Sequence, residues 1–562
     1  MLNELTTTAG ENLRGIPWQT YPRPQMKREN WLNLNGAWDF TVNYDNQGQI
    51  CVPFCPESRL SGHGKHYEEE SLLCYARRFT LPEGFDRGRV ILHIGAADQR
   101  TSVFLNGKPI GEHKGGYEAF DFDITPFLQK ENHLQICCFD DLEDQSYPYG
   151  KQTLKRGGMW YTPVSGIWQT VWLESVPDVY IRKLHIENRG YSVKISIEPA
   201  MNGTVKVPEL GCFKLENGSV TITPENPHLW SPEDPFLYDF TVEAGEDRIE
   251  SYFAVRALEV KKVGKYPRLC LNGKPYFFHG LLDQGYWPDG IFTPAAPACY
   301  ADDILMMKKL GFNTLRKHIK VEPEEFYYQC DKLGMIVFQD MVNNGDYNFL
   351  RDTALPTVGI QKQDDTRLHA DPIARKRFLE GMEATVEQLR NHPCICYWTI
   401  FNEGWGQFDS DNVYEQLKNL DDTRFIDATS GWFRRKKTDV DSRHVYFRKV
   451  KLMGDGVKPL VLSEFGGKTF KVKGHVFNPD KSYGYGGCDC LESLNDAVAK
   501  LYLEEVLPCV RNGLCAAIYT QVSDVEDEIN GLVTYDRKVE KMNPEKLLPL
   551  AAALQQAVSE EK

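Results

Sequence analysis

The 562-residue sequence predicts a multidomain protein: an N-terminal β-sandwich, a smaller immunoglobulin-like β-sandwich and a C-terminal (β/α)8 TIM barrel. Three observations carry this prediction. At a soft prior of roughly 150 residues per domain, the length calls for three or four units. Up to about residue 260 the chain reads as short strands punctuated by turn residues. After Lys265 strands alternate with helical patterns, the order of a parallel barrel wrapped by helices. The predicted units are 1–176, 177–262 and 263–562.

In the first unit Trp38–Val42, Ala76–Leu81, Val90–Ile94 and Thr101–Leu105 read as strands, and residues 166–174 as the last one. Asn35-Gly36 and Asn106-Gly107 read as hairpin turns, because both residue types tolerate positive φ. The second unit has strands over Ser192–Ile197 and Tyr238–Val242. Between them, 226–235 holds three prolines, which exclude a central strand and make a rigid connection. In the third unit helices are expected over Tyr300–Leu310, Pro323–Leu333, Asp371–Asn391, Ser410–Leu420 and Cys490–Asn512. Strands are expected over Asn313–Lys317, Met335–Phe338, Ala516–Thr520 and before Glu403 and Glu464.

Composition narrows the classes of function. No apolar run approaches the roughly 20 residues of a membrane span, and the N-terminus lacks a basic segment followed by an apolar one. A soluble, cytoplasmic protein with no membrane partner is expected. A net charge of −14 argues against nucleic acid, and Arg434-Arg435-Lys436-Lys437 reads as a solvated loop. The 15 cysteines show no paired CxxC or Cys/His spacing, so Cys137-Cys138, Cys394/Cys396 and Cys488/Cys490 read as reduced thiols, with no metal and no cofactor. An aromatic content of 12% suits stacking on sugar rings, and large all-β modules would explain it too.

The chemistry centres on Ile400-Phe401-Asn402-Glu403-Gly404-Trp405-Gly406, which puts a carboxylate just past a short apolar strand. Glu403 alone could be an acidic first-turn residue of the next helix. The segment 459–467 repeats the layout, with Glu464 followed by glycines. Paired carboxylates after separate barrel strands meet the need of glycosidic bond cleavage, where one protonates the leaving oxygen and the other attacks or activates water.

Further motifs make the chain resemble glycoside hydrolase family 2, the β-galactosidase and β-glucuronidase type, over nearly its whole length. They are Leu34-Asn35-Gly36-Ala37-Trp38, Phe104-Leu105-Asn106-Gly107-Lys108, His113-Lys114-Gly115-Gly116-Tyr117, Ser165-Gly166-Ile167-Trp168-Gln169, Asn226-Pro227-His228-Leu229-Trp230-Ser231-Pro232 and Leu271-Asn272-Gly273-Lys274-Pro275. The resemblance implies that the first sandwich is a jelly roll of sugar-binding type. It implies a retaining double displacement with Glu403 as general acid/base, Glu464 as nucleophile and Asn402 on the sugar 2-hydroxyl. Tyr446 stands where the family often has a tyrosine touching the nucleophile, and Arg316 and His318 lie at a strand end resembling the family's pattern. Asp283, Trp432, Gln521, Asp524 and Glu526 are strand-end candidates for hydroxyls or stacking, and Trp160, Trp405 and His444 complete the expected substrate-binding set.

Two departures concern the sugar. The β-glucuronidase Asn-x-Lys pair is absent from 528–535, and residues 157–164 lack the acid that the large enzymes contribute from the first sandwich. The expected activity is an exo-acting retaining β-glycosidase, a β-galactosidase first. A β-uronidase acting on glucuronides or galacturonides is the enzymatic alternative, and a non-catalytic carbohydrate-binding protein the other. The expected partner is a small carbohydrate or glycoside, and a homo-oligomer stays open.

Overall fold

The computed structural model describes residues 2–68, 70–357, 360 and 364–560. Over residues 31–176 a six-stranded and a four-stranded antiparallel sheet share one core, built from Phe40, Tyr75 and Ile136 on one side and Val90, Leu92 and Leu173 on the other. Asn106-Gly107 turns the hairpin between Arg100–Leu105 and Lys108–Lys114 with both φ angles positive. Asn35-Gly36 does something else. Trp31–Asn33 pairs with Val171–Val176 in the smaller sheet, whereas Gly36–Val42 pairs in the larger one, so the dipeptide carries the chain between sheets. Asn35 is fully buried there, accepting from the Val171 N–H and donating to Thr170 Oγ1. The expected last strand is also split. Gly166–Ile167 pairs with Ala97–Asp98, and Val171–Val176 with Arg89–Ile94. The turn between them buries Trp168, whose indole N–H donates to Gly116 O.

The expectation of reduced thiols fails at one pair. Cys74 and Cys137 lie directly opposite each other on neighbouring strands and form a disulfide. Cys138, Cys394 and Cys396 are buried and free, and Cys490 is exposed.

Sheets of three and four strands over residues 183–253 close on a second core that includes Ile186, Ile195, Phe240 and Phe253. The proline-bearing connection contains no strand, and it docks this sandwich onto the barrel. Trp230 is fully buried and donates its indole N–H to Asp331 O at 2.8 Å.

Eight parallel strands form the barrel: β1 Phe278–Asp283, β2 Thr314–Lys317, β3 Ile336–Asp340, β4 Ile395–Asn402, β5 Phe425–Ser430, β6 Asp441–Val445, β7 Leu460–Phe465 and β8 Leu514–Tyr519. The hydrogen-bonded order runs β5-β4-β3-β2-β1-β8-β7-β6. At the seam the β6 residue Ser442 donates its hydroxyl to the β5 residue Asp427 at 2.9 Å. Strands β4 and β7 are buried at every position, as expected where helices cover one face and side chains fill the other. Helices at Ala298–Lys309, Glu324–Leu333, Pro372–Leu389 and Ser410–Leu420 follow the expected pattern, the third capped by Asp371 accepting from the Ile373 N–H. The expected 490–512 helix runs as two α segments joined by a π turn. Among the described residues no helix is long and apolar enough to cross a membrane.

Candidate active site

The C-terminal ends of β2, β3, β4, β6 and β7 deliver one cluster of side chains. Asn402 closes β4, and Glu403 follows with φ of 53°, a left-handed turn that takes the chain out of the strand. Gly404 continues the turn with positive φ; a Cβ there would meet the Phe433 ring at 2.1 Å. Glu464 comes from within β7. One carboxylate oxygen of Glu403, one of Glu464 and a ring nitrogen of His444 all lie within 4.8 Å of one another.

Arg316, from β2, is the hub. Its Nε donates to Asp340 on β3 at 2.9 Å, one terminal nitrogen to Glu464 Oε1 at 3.1 Å and to Ser463 O at 3.0 Å, and the other to Asn402 Oδ1 at 2.9 Å. Because a guanidinium only donates, the contact fixes the Asn402 amide: its oxygen faces Arg316 and its NH2 is left for a ligand. Burial disfavours charge on both Arg316 and Asp340, yet their pairing wins, raising the guanidinium and lowering the carboxyl. His318 Nδ1 meets Asp340 Oδ2 at 2.7 Å, and burial lowers its pKa.

The two glutamates sit in unlike surroundings. Glu464 accepts from Arg316 and from the Tyr446 hydroxyl at 2.8 Å, and Tyr446 also meets Thr520 Oγ1 at 2.7 Å. Glu403 has Oε1 against His444 Nδ1 at 2.7 Å, and its pKa is raised by burial, opposed first by Lys151. His444 is pushed down to about 3 by burial, so this neighbour is a neutral imidazole. Its Nε2 faces Ser430 Oγ at 3.1 Å and Arg316 at 3.4 Å. Both ring nitrogens are therefore taken up by protein, and His444 acts on Glu403 rather than standing free for a sugar.

Aromatic rings flank this cluster. Trp432 packs edge-on to His444, Tyr446 stacks on Tyr485 at 4.1 Å, and Trp160 from the first sandwich meets Trp405 at 5.1 Å and Tyr347 at 5.0 Å.

Four expected substrate-binding residues are engaged by protein partners instead. Asp283 takes Lys317 Nζ at 2.7 Å and the Gly285 N–H. Gln521 is fully buried between Gln284 and Asn530. Asp524, pushed up to about 6 by burial, takes Lys541 Nζ at 2.6 Å and the Gly531 N–H. Glu526 accepts from the Thr162 N–H at 2.8 Å and pairs with Arg156, clamping the first sandwich to the barrel mouth. The structure adds residues that sequence reasoning missed: Asp340, Ser430, Tyr485, Glu528 and Lys151. Asp340 ends a legible strand and could have been found by that signal; Lys151 stands in an irregular connection and carried none.

Two sandwiches feeding a barrel whose mouth holds paired glutamates define a modular TIM-barrel protein with a carboxylate-pair site. Residues 262–543 match the TIM barrel domain of glycosyl hydrolases family 2, residues 64–177 its sugar binding domain, and residues 179–256 a further glycosyl hydrolases family 2 domain. The chain belongs to glycosyl hydrolase family 2. Among curated proteins it is similar to a β-galactosidase of Thermoanaerobacter pseudethanolicus, 22% identical over 81% of this chain and 64% of that protein. It is also similar to one of Yersinia enterocolitica, 25% identical over 75% of this chain and 44% of that protein. The chain thus spans less than two thirds of the length of these relatives. Its fold is shared with the β-D-glucuronidase of Dictyoglomus thermophilum, with TM-score 0.73 and 19% identity over 96% of this chain and 99% of that one. A galacturonate-bound β-galacturonidase of Eisenbergiella tayi has TM-score 0.68 and 19% identity, over 95% of this chain and 99% of that one.

Proposed function

We propose that the chain is an exo-acting retaining β-glycosidase, with Glu464 as nucleophile and Glu403 as general acid/base. The observation that carries this reading is the closeness of the two carboxylates, with oxygens within 4.8 Å. Retention needs carboxyl groups about 5–5.5 Å apart, whereas inversion needs ~6.5–9.5 Å to admit water between them. In the first step Glu464 attacks the anomeric carbon while Glu403 gives its proton to the leaving oxygen. In the second step Glu403, now a carboxylate, takes a proton from water, which attacks the same carbon and releases Glu464. Arg316 and Tyr446 hold the nucleophile, His444 holds one oxygen of Glu403, and the Asn402 NH2 meets the 2-hydroxyl. Exo action is supported by the segment 151–162 of the first sandwich, which walls the barrel mouth through Trp160, Tyr161 and the Arg156 and Thr162 contacts to Glu526.

For the glycone, the names of the curated relatives support a β-galactoside. A β-uronide is the second reading, favoured by the buried cation discussed next. The test follows product stereochemistry by NMR during hydrolysis of nitrophenyl galactoside, glucuronide, galacturonide, glucoside, mannoside and arabinoside, with Glu464→Gln as control. The β anomer is expected first, and Glu464→Gln inactive. Release of the α anomer, or an active Glu464→Gln enzyme, overturns the mechanism. Binding without turnover across the panel returns the chain to the carbohydrate-binding alternative.

A further inference from the structure

Among the described residues four lysines are buried: Lys151, Lys317, Lys320 and Lys541. Three have saturated ammonium groups. Lys317 pairs with Asp283 and Glu322, Lys320 with Glu322 and two backbone carbonyls, and Lys541 with Asp524 and Ile529 O. Lys151 is only 8% exposed, and among the described residues its Nζ has no hydrogen-bond or ion-pair partner; it lies over the face of Trp160, 5.6 Å from the ring centroid. Its ammonium donors are thus left for an anionic ligand.

The surroundings say where that occupant sits. Lys151 lies on the connection between Asn132–Phe139 and Gly166–Ile167 of the first sandwich, and this connection is locked to the barrel mouth. Tyr149 donates its hydroxyl to Gly345 O, the Tyr161 N–H donates to Lys151 O, and the Tyr161 hydroxyl donates to Glu528. The backbone at Lys151 is therefore held against the barrel mouth. The carboxyls that feel its charge are Glu403 and Glu528. Glu528 is already satisfied, by Tyr161 and by the Asn530 amide, and does not need Lys151 as a partner. Trp160, under the ammonium, packs on Trp405 at 5.1 Å, two residues beyond Glu403, which puts Lys151 beside the carboxylate pair.

Resting on the glycosidase reading, we infer that Lys151 is a specificity residue that seats an anionic substituent of the terminal sugar, a ring carboxylate or a sulfate ester. The charge of Lys151 opposes the rise that burial gives the Glu403 pKa, and an anion seated on Lys151 would offset that opposition. The carboxylate would be read from the first sandwich, in a chain whose last barrel strands lack the Asn-x-Lys pair.

The test compares the full-length protein with Lys151→Met and Lys151→Arg. For the nitrophenyl glucuronide, galacturonide, 6-sulfogalactoside and galactoside, kcat/KM is measured, and binding of free glucuronate and galacturonate is measured by calorimetry. Lys151→Met is expected to lower the ratio of anionic to neutral kcat/KM roughly 100-fold, the size of effect that loss of a buried charge contact produces. Lys151→Arg is expected to recover part of it. The uronide and sulfate arms identify which anion is read. The thermal midpoint of the ligand-free Met variant should hold or rise, because no partner is orphaned; a fall would mark a merely structural lysine. An unchanged ratio, or free glucuronate and galacturonate binding both proteins equally, overturns the inference. Failure of the wild type on every glycoside would instead defeat the glycosidase reading, and the calorimetry would still judge Lys151.

Discussion

Replacing Glu403 by glutamine removes one proton-transfer group and almost nothing else. The amide is isosteric, and it can meet His444 Nδ1, now 2.7 Å from Oε1, with either its oxygen or its nitrogen. Folding should survive. General acid or base catalysis contributes about 10²–10⁴-fold, or roughly 3–5 kcal/mol at 1.36 kcal/mol per tenfold. The loss should depend on the leaving group. An alkyl glycoside needs the proton to depart, so its kcat/KM should fall by the full factor. A nitrophenyl glycoside leaves largely unaided, so its loss should concentrate in hydrolysis of the glycosyl-enzyme and appear as a burst of nitrophenol before slow turnover. The pH profile gives a second reading. Burial raises Glu403, and the acid acts only when protonated, so wild-type kcat/KM should fall as pH rises through that raised pKa. Glutamine does not titrate, and the basic limb should vanish. Equal losses for both leaving groups, or a basic limb that persists in Glu403→Gln, would refute the assignment of Glu403 as the acid.

Two further predictions concern what holds the site and the modules. Arg316→Met should destabilise the fold by about 3–5 kcal/mol in urea unfolding, because Asp340 and Glu464 are left buried without their shared cation; a change below about 1 kcal/mol would count against that pairing. Trp230→Ala should cost about 3–5 kcal/mol by the same measurement, since it empties a fully buried site between the second sandwich and the barrel and leaves Asp331 O without its donor; a near-neutral result would mean that the connection carries no docking energy.

The barrel was readable because its strands are buried on both faces and so appear as short apolar runs, with the chemistry at their ends. That signal pointed to Glu403, Glu464 and Arg316, whose side chains lie in one cluster. It could not separate acids that face the cleft from acids that face protein. Asp283 closes β1 and Asp524 lies in the loop after β8, but each is met by a lysine, Lys317 from the next strand and Lys541 from further along that loop. Pairing of that kind is tertiary and leaves no periodic trace. Asn35-Gly36 misled for a similar reason: the dipeptide permits a hairpin, while the partner strands decide whether one forms, and here they lie in different sheets. Lys151 was invisible because it belongs to an irregular connection of one module and acts in the site of another.

The roles of the two glutamates could in principle be exchanged, and the surroundings argue against exchange. A nucleophile must be anionic when the sugar arrives. Glu464 has a guanidinium donating to one oxygen and a phenol hydroxyl to the other, the contacts expected around a nucleophile. A general acid must hold its proton in the same cleft. Among the described residues the one basic group in ion-pair range of Glu403 is an imidazole that burial keeps neutral, and burial raises the Glu403 pKa. His444 occupies one of its oxygens, so the other is the one that can face the leaving group. Glu464 was not placed to serve as the acid, since Arg316 is tied to it and to Asp340 at once. Unlike surroundings for two neighbouring carboxyls are what a double displacement requires, and the same Arg316 that donates to Glu464 also holds the Asn402 oxygen, which leaves the Asn402 NH2 for a ligand.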